Sequence, residues 1–178
     1  IEALNNGRLE IYESGLEELL QLVINGKSSG SLRCMERIEP NNNAEVSIVC
    51  VGTPSHKSNS IDLNQIKRTA RQIGNYLTKI NSFHHIIIRS TIPPGTTEDL
   101  IIPILQEESG KVLRKDFSLC FYPEFLREGN AIDDYYKPSL NIVGSDNNSS
   151  KEIVSSIFRN GTKPIVVEIK TAEMIKYV

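Results

Sequence analysis

The sequence predicts an α/β fold in which helices cover a parallel β-sheet. Short apolar runs alternate with segments of helical periodicity, which is the pattern of strands joined by helical crossovers. The runs Val46–Val51, Ile86–Ile88 and Phe117–Phe121 are nearly continuous in apolar residues, as in strands buried on both faces. Each run ends in a polar turn punctuated by glycine or proline, and in a parallel sheet such turns share one edge.

The composition is that of an ordinary globular chain. Of its 178 residues 39% are hydrophobic and 24% are charged, enough for one sizeable core. The net charge of −2 gives no case for binding nucleic acid or an anionic membrane. No apolar run of about eighteen residues predicts a transmembrane helix, and the first residues do not resemble a signal peptide.

The cysteines and histidines do not predict a metal site. Three cysteines, an odd number without metal-type spacing, indicate reduced thiols in a cytoplasmic protein. We expect Cys50 and Cys120 inside buried strands and Cys34 in a weakly structured stretch. The histidines also lack ligand spacing, and His84 and His85 are interpreted as packing at the edge of a strand.

The first helix is predicted from a capping box in which Ser14 is the N-cap and Glu17 reaches back to it. It ends at Asn25-Gly26, since both residues tolerate the left-handed conformation. Its apolar face consists of Leu16, Leu19, Leu20, Val23 and Ile24. The Gly/Ser-rich loop that follows is expected to close with a brief strand at Leu32–Cys34.

Two further helices are predicted after the first and second apolar runs. Asp62 with Gln65 predicts a capping box for the earlier helix, and Thr96 or Thr97 is expected to cap the later one. Pro103 should kink or shorten the later helix, because proline has no N–H to donate. The apolar faces are Leu63, Ile66, Ala70, Ile73 and Leu77 in the earlier helix, and Leu100, Ile101, Ile104 and Leu105 in the later one.

The C-terminal part continues the alternation of strands and helices. A strand is predicted at Asn141–Gly144, an amphipathic helix at Ser149–Asn160 and a strand at Pro164–Val167. A last helix is expected to open at Thr171. The inward positions of the amphipathic helix are Ile153, Val154, Ile157 and Phe158.

A cluster of charged side chains follows the third apolar run. Pro123 ends that strand, and Glu124 and Glu128 lie on one face if the next turn is helical. Open α/β sheets bind their ligands at strand ends of this kind. On spacing alone, a solvated, charged helix start is the simpler interpretation.

Four ordered motifs together resemble the UDP-glucose/GDP-mannose dehydrogenase family. They are VGTP at 51–54, STIPPGTTE at 90–98, PEFLREG at 123–129 and AEMIKY at 172–177, and the resemblance spans about Leu4 to Tyr177. Enzymes of this family oxidise the C6 alcohol of a nucleotide sugar to a carboxylate, with NAD as the oxidant. The resemblance implies a Rossmann-like parallel sheet with flanking helices, in which residues 1–170 are a partial NAD-binding domain and 171–178 begin the central connecting helix.

The resemblance implies that this chain is the middle of such an enzyme. The family places its first βαβ unit, with the Gly-rich phosphate turn, before the residue that aligns with Ile1, and its nucleophilic cysteine beyond Tyr177. Gly26–Gly30 follows a helix, so it is not the missing turn. None of the three cysteines aligns with the nucleophile, and we expect the 178-residue chain alone to have no dehydrogenase activity.

Thr91, Glu124 and Lys176 are the catalytic positions that the resemblance implies. Glu124 would act as a base on water during thioester hydrolysis, and Thr91 would hold a water or the reacting oxygen. Lys176 would stabilise the developing oxyanion. Without the other motifs, Lys176 would be interpreted as a solvent-facing helix lysine.

The resemblance also implies the binding residues. Those for NAD are Val51, Gly52, Thr53, Pro54, Ser55, Ser90, Thr91, Ile92 and Glu128, and those for the nucleotide sugar are Glu124, Phe125, Leu126, Arg127, Glu128 and Lys176. Arg127 has an alternative role, an ion pair with Glu128 or Asp133. Tyr122 stands where the family commonly has asparagine, and the larger phenol would alter the pocket edge or the strand end.

The substrate and the state of the protein stay open at this point. GDP-mannose and UDP-glucose are both candidates, with Arg89 and the run Val167–Tyr177 closer to the GDP-mannose branch. A homodimer or higher homo-oligomer would form through the central helix of the full-length protein. The alternative function is a catalytically inactive remnant that binds a partner protein.

Overall fold

The computed structural model describes residues 1–38, 44–55, 61–145, 148–158 and 163–177. They form two compact units, one of Ile1–Ile38 with Phe125–Ser139 and one of Glu39–Glu124 with Leu140–Val178. The helices are α1 (Glu2–Asn5), α2 (Leu16–Ile24), α3 (Asn64–Leu77), α4 (Ile102–Ser109), α5 (Ala131–Tyr136), α6 (Asn148–Ile157) and α7 (Ile169–Ile175), with a π-helical turn (Thr97–Ile101) before α4. The strands are β1 (Val46–Val49), β2 (His84–Ile88), β3 (Phe117–Phe121), β4 (Ile142–Gly144) and β5 (Ile165–Val167).

The strands form one sheet in the order β1-β2-β3-β4-β5. The predicted α/β class is confirmed, because β1, β2 and β3 are parallel neighbours, as are β4 and β5. The sheet is only mostly parallel, since β4 pairs with β3 in the antiparallel sense, Phe121 opposite Gly144. Antiparallel neighbours need no crossover helix, so the chain between these two strands leaves and re-enters at one edge.

Side chains from both faces of the sheet form cores. Ile86 and Ile88 belong to the larger core with α3 and α4, whereas Ile87 points to the opposite face and packs with Cys120 and Val154. The expectation that β1 is buried on both faces is wrong. Its Ile48 side chain is 43% exposed, because β1 stands at the end of the strand order.

The local signals of the first compact unit are only partly confirmed. The capping box at Ser14 is wrong: the N-cap is Gly15, in the left-handed conformation with φ of 81°, and no side chain caps the helix. The predicted end at Asn25-Gly26 is confirmed. Leu20 is the one buried residue of α2, so much of its apolar face is not covered by described residues.

The brief strand at Leu32–Cys34 is also absent from the described residues. The Asn5 side chain takes the place of a strand neighbour. Its Nδ2 donates to the Cys34 carbonyl (3.0 Å), and the Cys34 amide donates to its Oδ1 (2.8 Å). A side-chain amide therefore satisfies the backbone groups that a β-ladder would have used.

Helix α3 confirms its predicted apolar face but not its predicted cap. Ile66, Ala70, Ile73 and Leu77 are all buried. The N-cap is Leu63 and makes no side-chain bond; the Asp62 carboxylate instead accepts the Asn64 amide at 2.8 Å, just before the helix. This is the local turn that aspartate side chains commonly form.

The segment with Pro103 changes its hydrogen-bonding pattern, as a proline inside a helix requires. The π-helical turn Thr97–Ile101 precedes α4, and Pro103 occupies the first turn of α4. Neither Thr96 nor Thr97 caps the helix with its side chain. Both threonines are buried, and the Thr97 amide donates to the Glu173 carboxylate, which is distant in the chain.

Three other boundaries differ from expectation. No helix follows Pro123, so Glu124 and Glu128 do not share a helical face, and α5 begins only at Ala131. Helix α6 begins at Asn148, and the predicted end at Asn160 lies outside the described residues. Helix α7 begins at Ile169, two residues before the predicted Thr171.

His84 lies in β2 and is completely buried against β1. Its Nδ1 is 3.0 Å from the Ala44 carbonyl and its Nε2 is 2.9 Å from the Ser47 hydroxyl. A carbonyl only accepts, so Nδ1 carries the hydrogen and Nε2 accepts from Ser47. Burial lowers the pKa of His84 below 6.5 and outweighs the effect of the Ala44 carbonyl, which raises it.

We expect acid to destabilise the protein partly through His84. Its pKa is lower in the folded than in the unfolded protein, so the unfolded state binds more protons and stability falls as the pH drops below about 6.5. One such histidine changes the free energy of unfolding by at most about 1.4 kcal/mol per pH unit. Denaturant unfolding between about pH 5 and pH 8 should show that the free energy of unfolding falls less steeply with decreasing pH in His84→Gln than in the wild type. His85→Gln, at the half-exposed neighbour whose pKa burial also lowers, is the control and should change the slope less. An unchanged slope in His84→Gln would contradict the prediction.

Candidate functional site

The three motif-bearing turns lie at one edge of the sheet, as predicted. In the sheet register Val49 pairs with Ile88, and Ile88 pairs with Phe121. These three residues are the last of their strands and are aligned across the sheet. The residues three positions beyond them are Gly52, Thr91 and Glu124.

The first two turns are joined by hydroxyl groups. Thr53 Oγ1 donates to the Thr91 carbonyl at 2.6 Å, and Ser90 Oγ donates to the Val51 carbonyl at 2.7 Å. Both hydroxyl hydrogens are therefore used within the protein, and Thr53 can meet a ligand only as an acceptor or through its backbone. Ile92 is fully buried, so its side chain packs in the core and does not face a ligand.

Gly52 leaves open space beside the first turn. A Cβ built at Gly52 would have no other atom within 4 Å, whereas the same atom at Gly144 would collide with α7. A ligand can therefore approach the Gly52 backbone closely. Pro54 and Ser55 are exposed beside it, and the Pro54 carbonyl accepts the Asp62 amide at 2.8 Å.

Lys176 and Glu124 meet at the third turn. Lys176 Nζ lies 2.9 Å from Glu124 Oε1, and the same ammonium also donates to the Glu124 main-chain carbonyl. The two side chains are 19% and 32% exposed, so the pair is partly shielded but reachable from solvent. The structure thus brings together two of the three predicted catalytic residues, which are 52 positions apart in the chain.

The remaining predicted substrate residues belong to the other compact unit, where Arg127 is held in an ion pair. The partner is Asp134, and neither Glu128 nor Asp133 takes part in it. Arg127 Nη2 and Nε donate to the two carboxylate oxygens at 2.7 and 3.0 Å, and the Arg127 amide donates at 2.9 Å. These bonds hold the pKa of Asp134 well below its usual range. Phe125 is half-buried, whereas Leu126 and Glu128 are exposed.

Glu13 holds the start of α5 in the same unit. Its carboxylate oxygens accept the Gly129 amide at 2.9 Å and the Ala131 amide at 2.7 Å. Amides at a helix start have no partner within the helix, so a carboxylate there satisfies them. The end of the PEFLREG segment is therefore held by hydrogen bonds to Glu13, although the segment is not helical.

The cysteines differ from each other in exposure. Cys120 is buried, and this burial raises the pKa of its thiol to about 12, which agrees with the expected inert thiol. The expectation for Cys50 is wrong, because it follows the end of β1 and is exposed. Partial desolvation raises the pKa of the Cys50 thiol above its usual value. The charge of Arg89 lowers this pKa and that of Glu124 raises it, so the thiol lies among the charges of the same sheet edge.

Comparison with known proteins identifies the family. Residues 1–162 match the model of the UDP-glucose/GDP-mannose dehydrogenase family, NAD binding domain. The chain belongs to the UDP-glucose/GDP-mannose dehydrogenase family. The part matched is the family's NAD-binding domain, which confirms the resemblance of the four motifs and NAD as the cofactor of this domain.

Relatives with these enzyme names align with nearly the whole chain. It is 41% identical over 179 aligned positions to a GDP-mannose 6-dehydrogenase of Pseudomonas syringae pathovar tomato, covering 99% of this chain and 40% of that protein. It is 33% identical to the UDP-glucose 6-dehydrogenase AglM of Haloferax volcanii, covering 99% of this chain and 42% of that protein. The chain thus spans about two fifths of the relatives' length.

Solved structures of family members confirm the Rossmann-like fold. A ternary complex of GDP-mannose dehydrogenase from Pseudomonas aeruginosa superposes with a TM-score of 0.88 at 34% identity, covering 99% of this chain and 40% of that one. A UDP-glucose dehydrogenase from Pyrobaculum islandicum gives a TM-score of 0.85 at 31% identity, with the same coverage.

Two negative findings concern the described residues alone. They contain no group of three or more histidine, cysteine, aspartate or glutamate side chains placed to hold a metal ion. Among them there is also no helix with the length and apolar character that crossing a membrane requires.

Sequence reasoning missed two acidic residues, one in each compact unit, that bind residues of the motifs. Glu173 lies in the AEMIKY motif, but only its neighbour Lys176 was assigned a role. A signal existed, because Glu173 shares a helical face with the apolar residues Ile169 and Ala172. The other is Asp134, seven positions after Arg127, a spacing that no helical rule predicts.

Proposed function

We propose that the complete protein is an NAD-dependent nucleotide-sugar 6-dehydrogenase, which oxidises a C6 alcohol to the uronic acid in two hydride transfers. The observation that carries this proposal is the ion pair of Lys176 and Glu124, 2.9 Å apart at the sheet edge where the Gly52 and Thr91 turns also lie. An ammonium and a carboxylate at a strand-end crevice are the groups that alcohol oxidation and subsequent hydrolysis require.

NAD, when bound, accepts the hydride. The residues proposed to hold it include the turn Val51–Ser55, whose Gly52 backbone faces open space, and Ser90–Ile92, which hydrogen bonds join to that turn. These residues fit part of a dinucleotide, because they offer backbone groups and a close approach without a side chain in the way. Glu128 is proposed to contact the cofactor as well.

Each proposed catalytic side chain acts on the reacting oxygen or on water. The Lys176 ammonium stabilises negative charge that develops on the substrate oxygen. The Glu124 carboxylate accepts a proton from the water that hydrolyses the thioester, and the Thr91 hydroxyl orients that water or the reacting oxygen. We propose that the nucleophilic cysteine comes from outside these residues, since none of the three cysteines aligns with the family's nucleophile. Desolvation also raises the pKa of Cys50, and burial raises the pKa of Cys120 to about 12.

Glu124 and Lys176 are proposed to bind the sugar nucleotide, and the resemblance of the PEFLREG motif supports the same proposal for Phe125, Leu126, Arg127 and Glu128. Arg127 is committed to Asp134 by two side-chain bonds, which favours an indirect role in shaping the segment. GDP-mannose is the first candidate substrate, because the GDP-mannose 6-dehydrogenase of P. syringae is more similar to this chain than the UDP-glucose 6-dehydrogenase of H. volcanii, at 41% against 33% identity. We also propose that the complete protein is a homodimer or larger homo-oligomer.

The direct test is NADH formation by the complete protein, whose intact mass would first show what flanks this chain. GDP-mannose is expected to give the higher kcat/KM, with UDP-glucose as the matched comparison. The 178-residue chain alone is expected to give no NADH, because it has neither the Gly-rich phosphate-binding turn of a dinucleotide site nor a cysteine aligned with the nucleophile. Turnover by that chain alone would contradict the assignment of its catalytic residues, and a complete protein inactive on both nucleotide sugars would overturn the proposed function.

A further inference from the structure

Glu173 is a fully buried carboxylate within the seven-residue helix α7. Its Oε2 accepts the Gly95 amide at 2.5 Å, and its Oε1 accepts the Thr97 amide at 2.9 Å. A buried carboxylate is costly unless its oxygens are hydrogen-bonded, and bonds from N–H groups to an ionised carboxylate are among the stronger ones in proteins. Both oxygens therefore tie α7 to one short backbone segment.

That segment connects the turn that carries Thr91 to the π-helical turn and α4. Gly95 and Thr97 follow Thr91 in the STIPPGTTE motif, and Thr97 begins the π-helical turn before α4. The first amides of a helix lack partners within it, and no side chain of the segment itself caps this one. Glu173 supplies the missing acceptors from 76 to 78 positions away in the chain.

Lys176 lies three positions after Glu173, one helical turn farther along. At its own end it bonds to Glu124, so α7 is attached to the second turn through Glu173 and to the third through Lys176. A second polar connection between α7 and the same segment is weak. Lys170 lies 3.6 Å from Glu98 and 3.9 Å from Asp99, but all three side chains are largely exposed, and such pairs contribute little.

We propose that Glu173 is a positioning residue of the reaction. Its two hydrogen bonds fix the position and orientation of α7, so that Lys176 bonds to Glu124 beside the turn that carries Thr91. This inference rests on the proposed function for the role of Lys176. The attachment itself depends only on the geometry. A shift of about 1 Å in a catalytic group can lower a rate about a hundredfold, so losing the two bonds should affect chemistry more than binding.

The test compares Glu173→Gln with Glu168→Gln in the complete protein. Both changes remove one carboxylate from α7 or its N-cap, but Glu168 is an exposed residue that precedes α7, whereas Glu173 is buried with two amide partners. The glutamine at 173 keeps the shape of the side chain but turns one acceptor oxygen into an NH₂ donor. Two quantities are measured: steady-state kinetics per folded enzyme, and the rate at which an amine-acylating reagent labels Lys176, read by mass spectrometry.

For Glu173→Gln we expect kcat to fall by a factor of about 10 to 100, with KM for the sugar nucleotide changed by no more than about twofold. Labelling of Lys176 should become faster, since a displaced α7 takes the ammonium away from Glu124. Lys111, whose ammonium donates to the Ile80 carbonyl at 2.9 Å, is the internal reference and should be labelled at the wild-type rate. Glu168→Gln should resemble the wild type in kcat, in KM and in the rate at which Lys176 is labelled.

The labelling separates this inference from the proposed function. A wild-type protein inactive on nucleotide sugars would overturn the proposed function. Faster labelling of Lys176 but not of Lys111 in Glu173→Gln would still support the attachment of α7 through Glu173. Unchanged labelling and unchanged kcat in Glu173→Gln would overturn the inference. Equal acceleration at Lys176 and Lys111 would also overturn it, because it would indicate general loosening. Should Glu173→Gln not fold, Glu173→Asp keeps the carboxylate on a shorter chain, and wild-type kcat and labelling there would overturn the inference as well.

Discussion

Replacing Lys176 with methionine is expected to lower kcat of the complete enzyme by a factor of about 100 to 1,000, the usual cost of removing one donor to a developing oxyanion. Methionine keeps the length and helix propensity of the side chain but removes the ammonium that lies 2.9 Å from Glu124. The fall should appear in kcat and in kcat/KM together, because the charge it stabilises exists only in the transition state.

Lys170→Met is the matched control for this prediction. Lys170 is also in α7, but it is exposed, and its ion-pair partners among the described residues are the exposed Glu98 and Asp99. Its replacement should leave kcat within about twofold of the wild type, since exposed pairs contribute little. A double-mutant cycle with Glu124→Gln would then measure the coupling of the pair, and strict additivity would contradict a shared role for Lys176 and Glu124.

Replacing Gly144 with alanine is expected to destabilise the protein by about 1–3 kcal/mol, as overpacking in a core does. A Cβ at Gly144 would lie 2.6 Å from the Ala172 Cβ and 2.9 Å from the Ile169 Cα, so α7 would have to move away from β4. Because Lys176 follows directly after α7, the folded fraction of Gly144→Ala should also have a lower kcat than the wild type. Denaturant unfolding and steady-state kinetics on the same preparations check both effects.

Two further variants make the Gly144 prediction specific. Ala172→Gly removes the nearer of the two collisions, so Gly144→Ala with Ala172→Gly should be less destabilised than the sum of the single changes. Gly30→Ala adds the same methyl group where no other atom lies within 4 Å, and should change stability by less than about 0.5 kcal/mol. Full additivity of the first pair would show that α7 does not rest on β4 in this way.

Features that depend on repeated short-range patterns were predictable. The face of α3 follows from apolar residues at helical spacing, and Ile66, Ala70, Ile73 and Leu77 are buried as expected. The shared edge of the three turns follows from parallel pairing, and Gly52, Thr91 and Glu124 do occupy equivalent positions beyond the strands.

Features in which one polar group chooses among several partners were not predictable in the same way. Ser14 and Thr96 have the residue types of helix caps, yet neither makes a capping bond. At the π-helical turn before α4, the Glu173 carboxylate from α7 accepts the Thr97 amide instead. Arg127 has acidic neighbours at several spacings, and the turn geometry selects Asp134. Geometry decides such choices, because a hydrogen bond weakens steeply with distance and angle.

The sequence by itself therefore determined the α/β class, the five strands of the sheet, the order of the motifs and their common edge, since these depend on periodicity and on which residues can leave water. Only the tertiary structure decided that Lys176 pairs with Glu124, that Glu173 holds α7 to the Gly95–Thr97 segment, and that Gly144 admits α7 closely. Each of these contacts joins residues far apart in the chain, and close packing of the core brings them within bonding distance.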